Sequence, residues 1–586
     1  MKRAGSWPLA VALLGGAAAA DAASDVADAA MRGDLAILRA SLAANLDVDA
    51  PQADGATALH WAVYRGDLEA VRILVAAGAA VRVANREGAT PLALACSGGN
   101  LSVVAALLEA GAEPNERLAN GETALMMAAR SGAADVVALL VERGADVNAT
   151  ENLRGTTPLM WAVAYEHPAA VATLLAHGAD FAARSKAAPR SRRPYLADTT
   201  RQRLEDFKRG IGQAGRSIPV DLGDGAAARR YSDADLFAAG ATAARPVAVV
   251  PPPVAPPRAA DEDADAPPRN GPELWGGLTA LAFAARQGDA ESTRLLLAAG
   301  ADVNQTTEFG FTALLTAIHN RNYRLALQLL EAGADPNLVT KGGWSPLYIA
   351  TDNRNIEGGD YPTRKPDAEH LELIEALLAH GADVNVRMRS STETRTIFTH
   401  QWLHEEGATP LLRAAQSGDA VLLRRLLEKG ADPQLATDDG TTPLMVAAGI
   451  GWVEGVTYEW SPEQTLATVR LLLELGVPVN AQNLDGQTAL MGAAHKGRSD
   501  VVQLLVDHGA DLALHDIGSR DTLHSLAGIT WQAVDYADGL VRVGVQSAIA
   551  HPETARLLRR LMTERGLAVP PEGRTLESIC VVDLCK

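Results

Sequence analysis

The sequence predicts an all-α solenoid of stacked helix pairs, about ten full repeats with a capping unit at each end. Three observations carry that prediction. Turn glycines recur with a period of 33 residues, from Gly55 to Gly88 to Gly121, and Gly155 follows after 34. Each period contains two short apolar patterns at spacings of three and four. Aromatic residues make up only 4% of 586 residues, which disfavours several large conventional cores and favours a repetitive architecture.

The chain opens with "MKRAGSWPLAVALLGGAAAADAAS", in which Lys2 and Arg3 precede an apolar stretch from Trp7 to about Ala20 and then small residues. This predicts a secretory signal over residues 1–22, cleaved near Ala20 or Ala22. The stretch is shorter than the ~18 to 20 residues that span a bilayer, which disfavours an uncleaved anchor, and no later segment is longer. Export to the periplasm or the extracellular space is the expectation.

The counted units begin at Gly55. "DGATALHWAVYRGDLEAVRILVAAGA" recurs as "EGATPLALACSGGNLSVVAALLEAGA" and "NGETALMMAARSGAADVVALLVERGA". Leu59, Ala62 and Val63 mark a first helix, and Val71, Leu74 and Val75 a second. The glycine before Thr-Ala or Thr-Pro supplies a tight turn. Thr57 and its equivalents can cap the first helix, and Gly78, Gly111 and Gly144 can end the second in a left-handed conformation.

The pattern "GxTxLxxA" followed by "VxxLLxxGADVN", at this period, resembles the ankyrin repeat, and the resemblance covers most of residues 24–566. It implies stacked helix pairs whose turns project sideways as fingers, with neighbours completing the core that one repeat cannot bury alone. Ala80 and Arg82 depart from the pattern, standing where the family favours Asp and Asn. A capping repeat is expected over residues 24–50. With four repeats it forms a first block, 23–184.

Later turns fall at Gly277, Gly310, Gly343, Gly407, Gly440 and Gly486, which place six repeats and a split terminal unit in a second block, 274–566. Between the blocks, residues 185–273 carry a basic stretch and then "VAVVPPPVAPPRAADEDADAPP", whose prolines predict an extended linker or excursion. The split unit is read as "TLHSLAG" at 522–528 joined to "HPETARLLRRLMTERG" at 551–566. Insertions are expected near 354–368, 389–405, 452–464 and 528–551. Three of them enter at the turn between a repeat's two helices. Each of these hands over to a helix start, "KPDAEH", "SPEQT" or "HPETA", where a proline is followed by an acid.

Catalytic motifs are sparse. Gly210, Gly212 and Gly215 satisfy GxGxxG, but no strand precedes them and no helix follows. His400, His404 and Glu405 in "THQWLHEEG" could share a helical face. The stretch is not HExxH, and no third ligand has a defined spacing. His60 and His524 stand at the family's helix-one histidine position, and His177, His380 and His508 precede helix-ending glycines. No nucleophile elbow, phosphate loop or paired CxxC is present. The expectation is no enzymatic activity, no bound metal and no cofactor.

Aromatic placement supplies the candidate contact residues. Trp275, Phe309, Phe311 and Trp344 lie within two residues of successive turn glycines, so neighbouring fingers should carry them as one stripe. Tyr361, then Trp452, Tyr458 and Trp460, then Trp531 and Tyr536 furnish the three insertions with aromatic rings. Exposed rings of this kind make partner hot spots; the alternative is that they pack between fingers or pad the edge of the scaffold. Cys580 and Cys585, five apart in the tail 567–586, could form a local disulfide in an oxidising compartment, whereas Cys96 reads as a buried apolar residue.

A net charge of −18 disfavours nucleic acid as a partner. The reading is an exported, monomeric, non-enzymatic scaffold that binds another protein, with no membrane span after signal cleavage. Two alternatives remain: an enzyme or metal/ligand-binding receptor with its site in the insertions, and an accessory subunit that protects or holds an envelope oxidoreductase.

Overall fold

Each repeat opens on a hydroxyl that starts its first helix. Thr90 accepts from Ala93 N, Ser345 from Tyr348 N and Thr409 from Leu412 N, and the next residue is Pro91, Pro346 or Pro410. The cap satisfies a free backbone N–H, while proline at the first helical position loses nothing and presets the backbone. His60 adds a tie between repeats: one ring nitrogen bonds Thr57 Oγ1 at 2.9 Å and the other lies 3.1 Å from Ala89 O.

The computed structural model describes residues 25–186, 276–355, 366–390, 403–452, 458–518, 530–541 and 549–574. The chain divides into one unit of residues 1–188 with 271–586 and a second of 189–270; all described residues belong to the first. Among them are 24 helices and, apart from an isolated bridge between Arg117 and Thr123, no β-structure. First helices pack on first helices and second on second, giving an inner and an outer layer. Leu59, Leu74, Leu92 and Leu107 are fully buried between the layers, and the same pattern continues along the stack.

Two kinds of bond join successive fingers. One is backbone to backbone: Arg86 N to Asp54 O, Asn152 N to Asn120 O, Lys341 N to Phe309 O. The other comes from the asparagine of the "VN" pair: Asn148 donates to Gly178 O at 3.3 Å and accepts from Asp180 N at 2.8 Å. Where the sequence departs from the pattern, Arg82 takes over the donor half, with Nε to Gly111 O at 3.0 Å, and replaces the acceptor half by an ion pair with Glu113.

Repeats four and five are adjacent in space although 122 residues separate Gly155 from Gly277. Helix Pro158–Ala164 packs on Ala280–Gln287, and Pro168–Ala176 on Ala290–Ala298. Ser185 N donates to Leu278 O at 2.9 Å, Gly277 N to Ser185 O at 2.8 Å, and Gln287 to Ala164 O at 2.8 Å. The inner and outer layers therefore run unbroken past the point where the proline-rich segment leaves.

The terminal unit is built differently from the expectation. Its inner helix is Ala533–Ala537, inside the segment 528–551 read as an insertion, and it packs on Ala489–His495. Val534, Tyr536 and Ala537 supply an apolar face too short to stand out as a helical period. "TLHSLAG" lies outside the described residues.

Candidate functional site

Three groups of side chains stand out: the finger aromatics, the edge where insertions enter, and the inner-helix row of the first repeats. The expected finger stripe is an internal cluster. Trp344 is 3% exposed and Phe309 9%, with ring centroids 5.5 Å apart and Phe311 within 6.1 Å of both. The Trp344 indole donates to Ser390 O at 2.9 Å. Neighbouring fingers press these rings together, so their apolar area is already covered from within the chain. Trp275 lies outside the described residues.

The edge where the insertions enter is a clasp. Trp452 faces His495 edge-on at 6.1 Å, and the Lys496 ammonium lies 5.7 Å above its ring. Glu459 receives Lys496 Nζ at 3.0 Å and Arg498 Nη1 at 3.1 Å. In the opposite direction Trp460 N donates to Ser417 O at 3.2 Å, its indole to Asn355 Oδ1 at 2.9 Å, and the Arg354 guanidinium sits 4.3 Å over the ring. Tyr458 packs edge-on against Trp460 at 5.6 Å. The insertion of repeat nine thus grips repeat ten through Trp452 and Glu459 and repeats seven and eight through Trp460, which corrects the expectation of free aromatic arms. Tyr361 lies outside the described residues. Trp531 and Tyr536 are buried, and Tyr536 donates to Asp516 Oδ2 at 2.7 Å as part of the terminal core.

Beneath this clasp lies a buried ionic network that periodicity could not show. Arg413 is fully buried; it donates to Asp352 Oδ1 at 2.7 Å, to Ser417 Oγ at 2.9 Å and to Asn355 O. Arg354 is bidentate on Asp419, at 2.7 and 3.3 Å, while Asp419 also caps the following helix through Leu422 N. Tyr323 Oη contacts His370 Nδ1 at 3.1 Å, and burial, then the charge of Arg354, lowers that imidazole to about 4. At the next junction the inner helices approach so closely that a Cβ on Gly492 would meet Ile450 N at 2.7 Å. A signal was present: an arginine at 413, where Trp61, Leu94 and Ile349 stand in other repeats.

His404 is exposed whereas Glu405 is buried, so these neighbours do not converge, and His400 lies outside the described residues. Among the described residues no group of His, Cys, Asp or Glu has metal-holding geometry, and no helix is long and apolar enough to cross a membrane. Gly210, Gly212, Gly215, Cys580 and Cys585 also lie outside them.

The first five repeats behave oppositely at the same structural positions. At the end of the inner helix, Tyr64 is 66% exposed and Tyr165 53%, whereas Asp352, Asn353, Gln416, Ser417, His495 and Lys496 are all buried. Trp61 and Trp161 are half-buried beside the two tyrosines. Arg130 lies 5.7 Å from the Trp161 ring centroid and Arg286 4.9 Å from that of Phe283. Sequence reasoning missed this row because its residues lie one or more repeats apart, and 122 positions apart between Trp161 and Phe283; reading down one column of the repeats would have found it.

Comparison with known proteins agrees with the geometry. The family description "Ankyrin repeats (3 copies)" matches residues 26–118, 111–185, 265–340, 281–388, 367–458 and 461–525. Among curated proteins the chain is similar to a "Probable E3 ubiquitin-protein ligase" of Oryza sativa subsp. japonica, 39% identical over 137 residues, 22% of each chain. It is similar to ankyrin repeat domain-containing protein 63 of Mus musculus, 37% identical over 108 residues, 18% of this chain and 25% of that one. A third is human ankyrin repeat and SOCS box protein 6, 37% identical over 158 residues, 24% of this chain and 32% of that one. The chain spans roughly a quarter of the length of these relatives. Capped helix pairs, bonded fingers and a family match across both sides of the proline-rich segment together establish that the chain belongs to the ankyrin-repeat family.

Proposed function

We propose that this protein is a non-enzymatic interaction scaffold that acts outside the cytoplasm and takes its partner on the inner-helix row of repeats one to five. Ankyrin repeats themselves mark a protein–protein interaction scaffold. One observation carries the choice of surface: Tyr64 and Tyr165 are open to solvent at positions whose counterparts in repeats seven, eight and ten are covered. Large rings held on a rigid frame bury much area at small entropic cost. The insertions serve the scaffold by bracing its second half. Lys2 and Arg3, the apolar stretch from Trp7 and the small residues after it support export.

A photo-crosslinking residue in place of Tyr64 or Tyr165, in natively exported protein, tests the reading. A discrete adduct with one partner protein is expected from both positions, and none from Arg72, which is exposed on an outer helix. Equal crosslinking from Arg72, or retention of the chain in the cytoplasm, would overturn it.

A further inference from the structure

Repeats three to five concentrate cations on their inner-helix side in a chain whose net charge is −18. Arg130 and Arg286 end the inner helices of repeats three and five, each against an aromatic ring. Arg154 is exposed on the intervening finger, and Lys186 extends the positive edge, its N–H bonded to Arg154 O at 2.6 Å. None of the four side chains has an acidic partner among the described residues, although Arg39, Arg82, Arg294 and Arg387 elsewhere on the surface do. The acid of this finger, Glu151, is buried and accepts from Arg154 N and Thr156 N and Oγ1, so it is consumed in shaping the turn. Glu122 and Glu166 also lie within repeats three and four, and Glu87 and Glu308 stand on the fingers to either side.

Burial, and then the like charge of Arg154, lowers the Arg286 guanidinium from its ordinary value. The two arginines therefore repel one another across half-covered ground, and an incoming carboxylate relieves that repulsion. Guanidinium groups are also suited to bidentate carboxylate recognition.

We infer that this face docks an extended acidic segment of the partner protein, with carboxylates on Arg130, Arg154 and Arg286 and an apolar side chain against Trp161. The inference rests on the scaffold reading above and adds the chemistry and register of the ligand. Neighbouring helices lie about 8–10 Å apart, and an extended chain advances about 3.3 Å per residue. Acids spaced about three residues apart match successive repeats. Contiguous acids do not.

Fluorescence anisotropy on the full chain tests the inference with labelled peptides. One probe carries glutamates about three residues apart with leucine and tyrosine between them. A second has the same composition with its glutamates contiguous, and a third has glutamine throughout. The spaced peptide is expected to bind most tightly, to weaken with added salt, and to lose about tenfold for each of Arg130→Ala, Arg154→Ala and Arg286→Ala, a loss of about 1.4 kcal/mol apiece. Arg154→Glu, an exposed change that leaves the core untouched, should weaken the spaced peptide more than Arg154→Ala does, because it adds repulsion to the lost contact. Equal binding of glutamate and glutamine peptides, no binding at physiological salt, or tighter arginine-dependent binding of a single-stranded oligonucleotide would overturn the proposal. Crosslinking at Tyr64 that persists in the arginine variants would leave the scaffold reading standing and remove the acidic ligand; absence of any adduct from the native protein would remove the scaffold reading itself.

Discussion

Trp460 and Asn355, 105 positions apart, are joined by an indole N–H that donates to the amide oxygen at 2.9 Å. With the Arg354 guanidinium 4.3 Å over the same ring, the insertion of repeat nine is tied to the turn of repeat seven.

Trp460→Ala should therefore lower the stability of the isolated protein. The lost hydrogen bond contributes about 1 kcal/mol and the partly desolvated cation–π contact about 1–2 kcal/mol. Urea unfolding followed by circular dichroism would show the midpoint fall. An unchanged midpoint would mean the clasp carries no load.

Arg413 and Asp352 form a pair buried on both sides. Each single change removes a buried counter-charge, so Arg413→Met or Asp352→Leu should each be destabilising, by up to about 3–5 kcal/mol. The double variant should lose clearly less than the two costs added together, because the pair's mutual attraction is then lost only once. A double-mutant cycle in urea measures the difference.

Acidification should loosen the second half first. His370 and His495 have imidazoles lowered from 6.5 to about 4, in both cases mainly by burial. The folded chain holds them neutral, whereas the unfolded chain protonates them near pH 6.5. Their contribution is complete above pH 6.5 and is lost progressively as pH falls toward about 4. Tm is expected to fall across that window, and His370→Gln should flatten the slope at its upper end, where carboxylates are still ionised.

Proteolysis within the proline-rich segment 187–275 should leave two fragments that elute together, because repeats four and five pack helix on helix across the cut. Denaturant should separate them. Elution as separate species without denaturant would contradict the continuous stack.

Thiol chemistry gives a last check. Burial pushes the Cys96 thiol up, so it should resist alkylation until the chain unfolds. If the chain is exported as proposed, peptide mapping of protein from the oxidising compartment is expected to find Cys580 joined to Cys585.

The scaffold was legible because its determinants repeat. Gly55, Gly88 and Gly121 adopt the positive φ their turns require, and Thr90 and Thr123 cap the helices that follow. What sequence could not reveal is aperiodic. Asp352 and Arg413 are 61 positions apart and meet because the inner helices of repeats seven and eight pack on each other despite the inserted residues between them. Phe309 and Trp344 were correctly placed on neighbouring fingers, yet whether two rings turn outward or toward each other depends on the finger spacing. Tyr64 and Tyr165 went unnoticed for the opposite reason, since nothing local distinguishes an exposed ring from a packed one.

Ser185 and Leu278 are hydrogen-bonded neighbours although the intervening chain is long. A segment whose two ends are already clamped together acts as a cassette. Closing a longer loop between fixed ends costs free energy only as the logarithm of its length, so this junction can accept a longer, shorter or wholly different insert without disturbing the helices on either side. The position thus serves as a port: evolution can exchange the segment there, and an experimenter can graft a fluorescent reporter or a protease site into it.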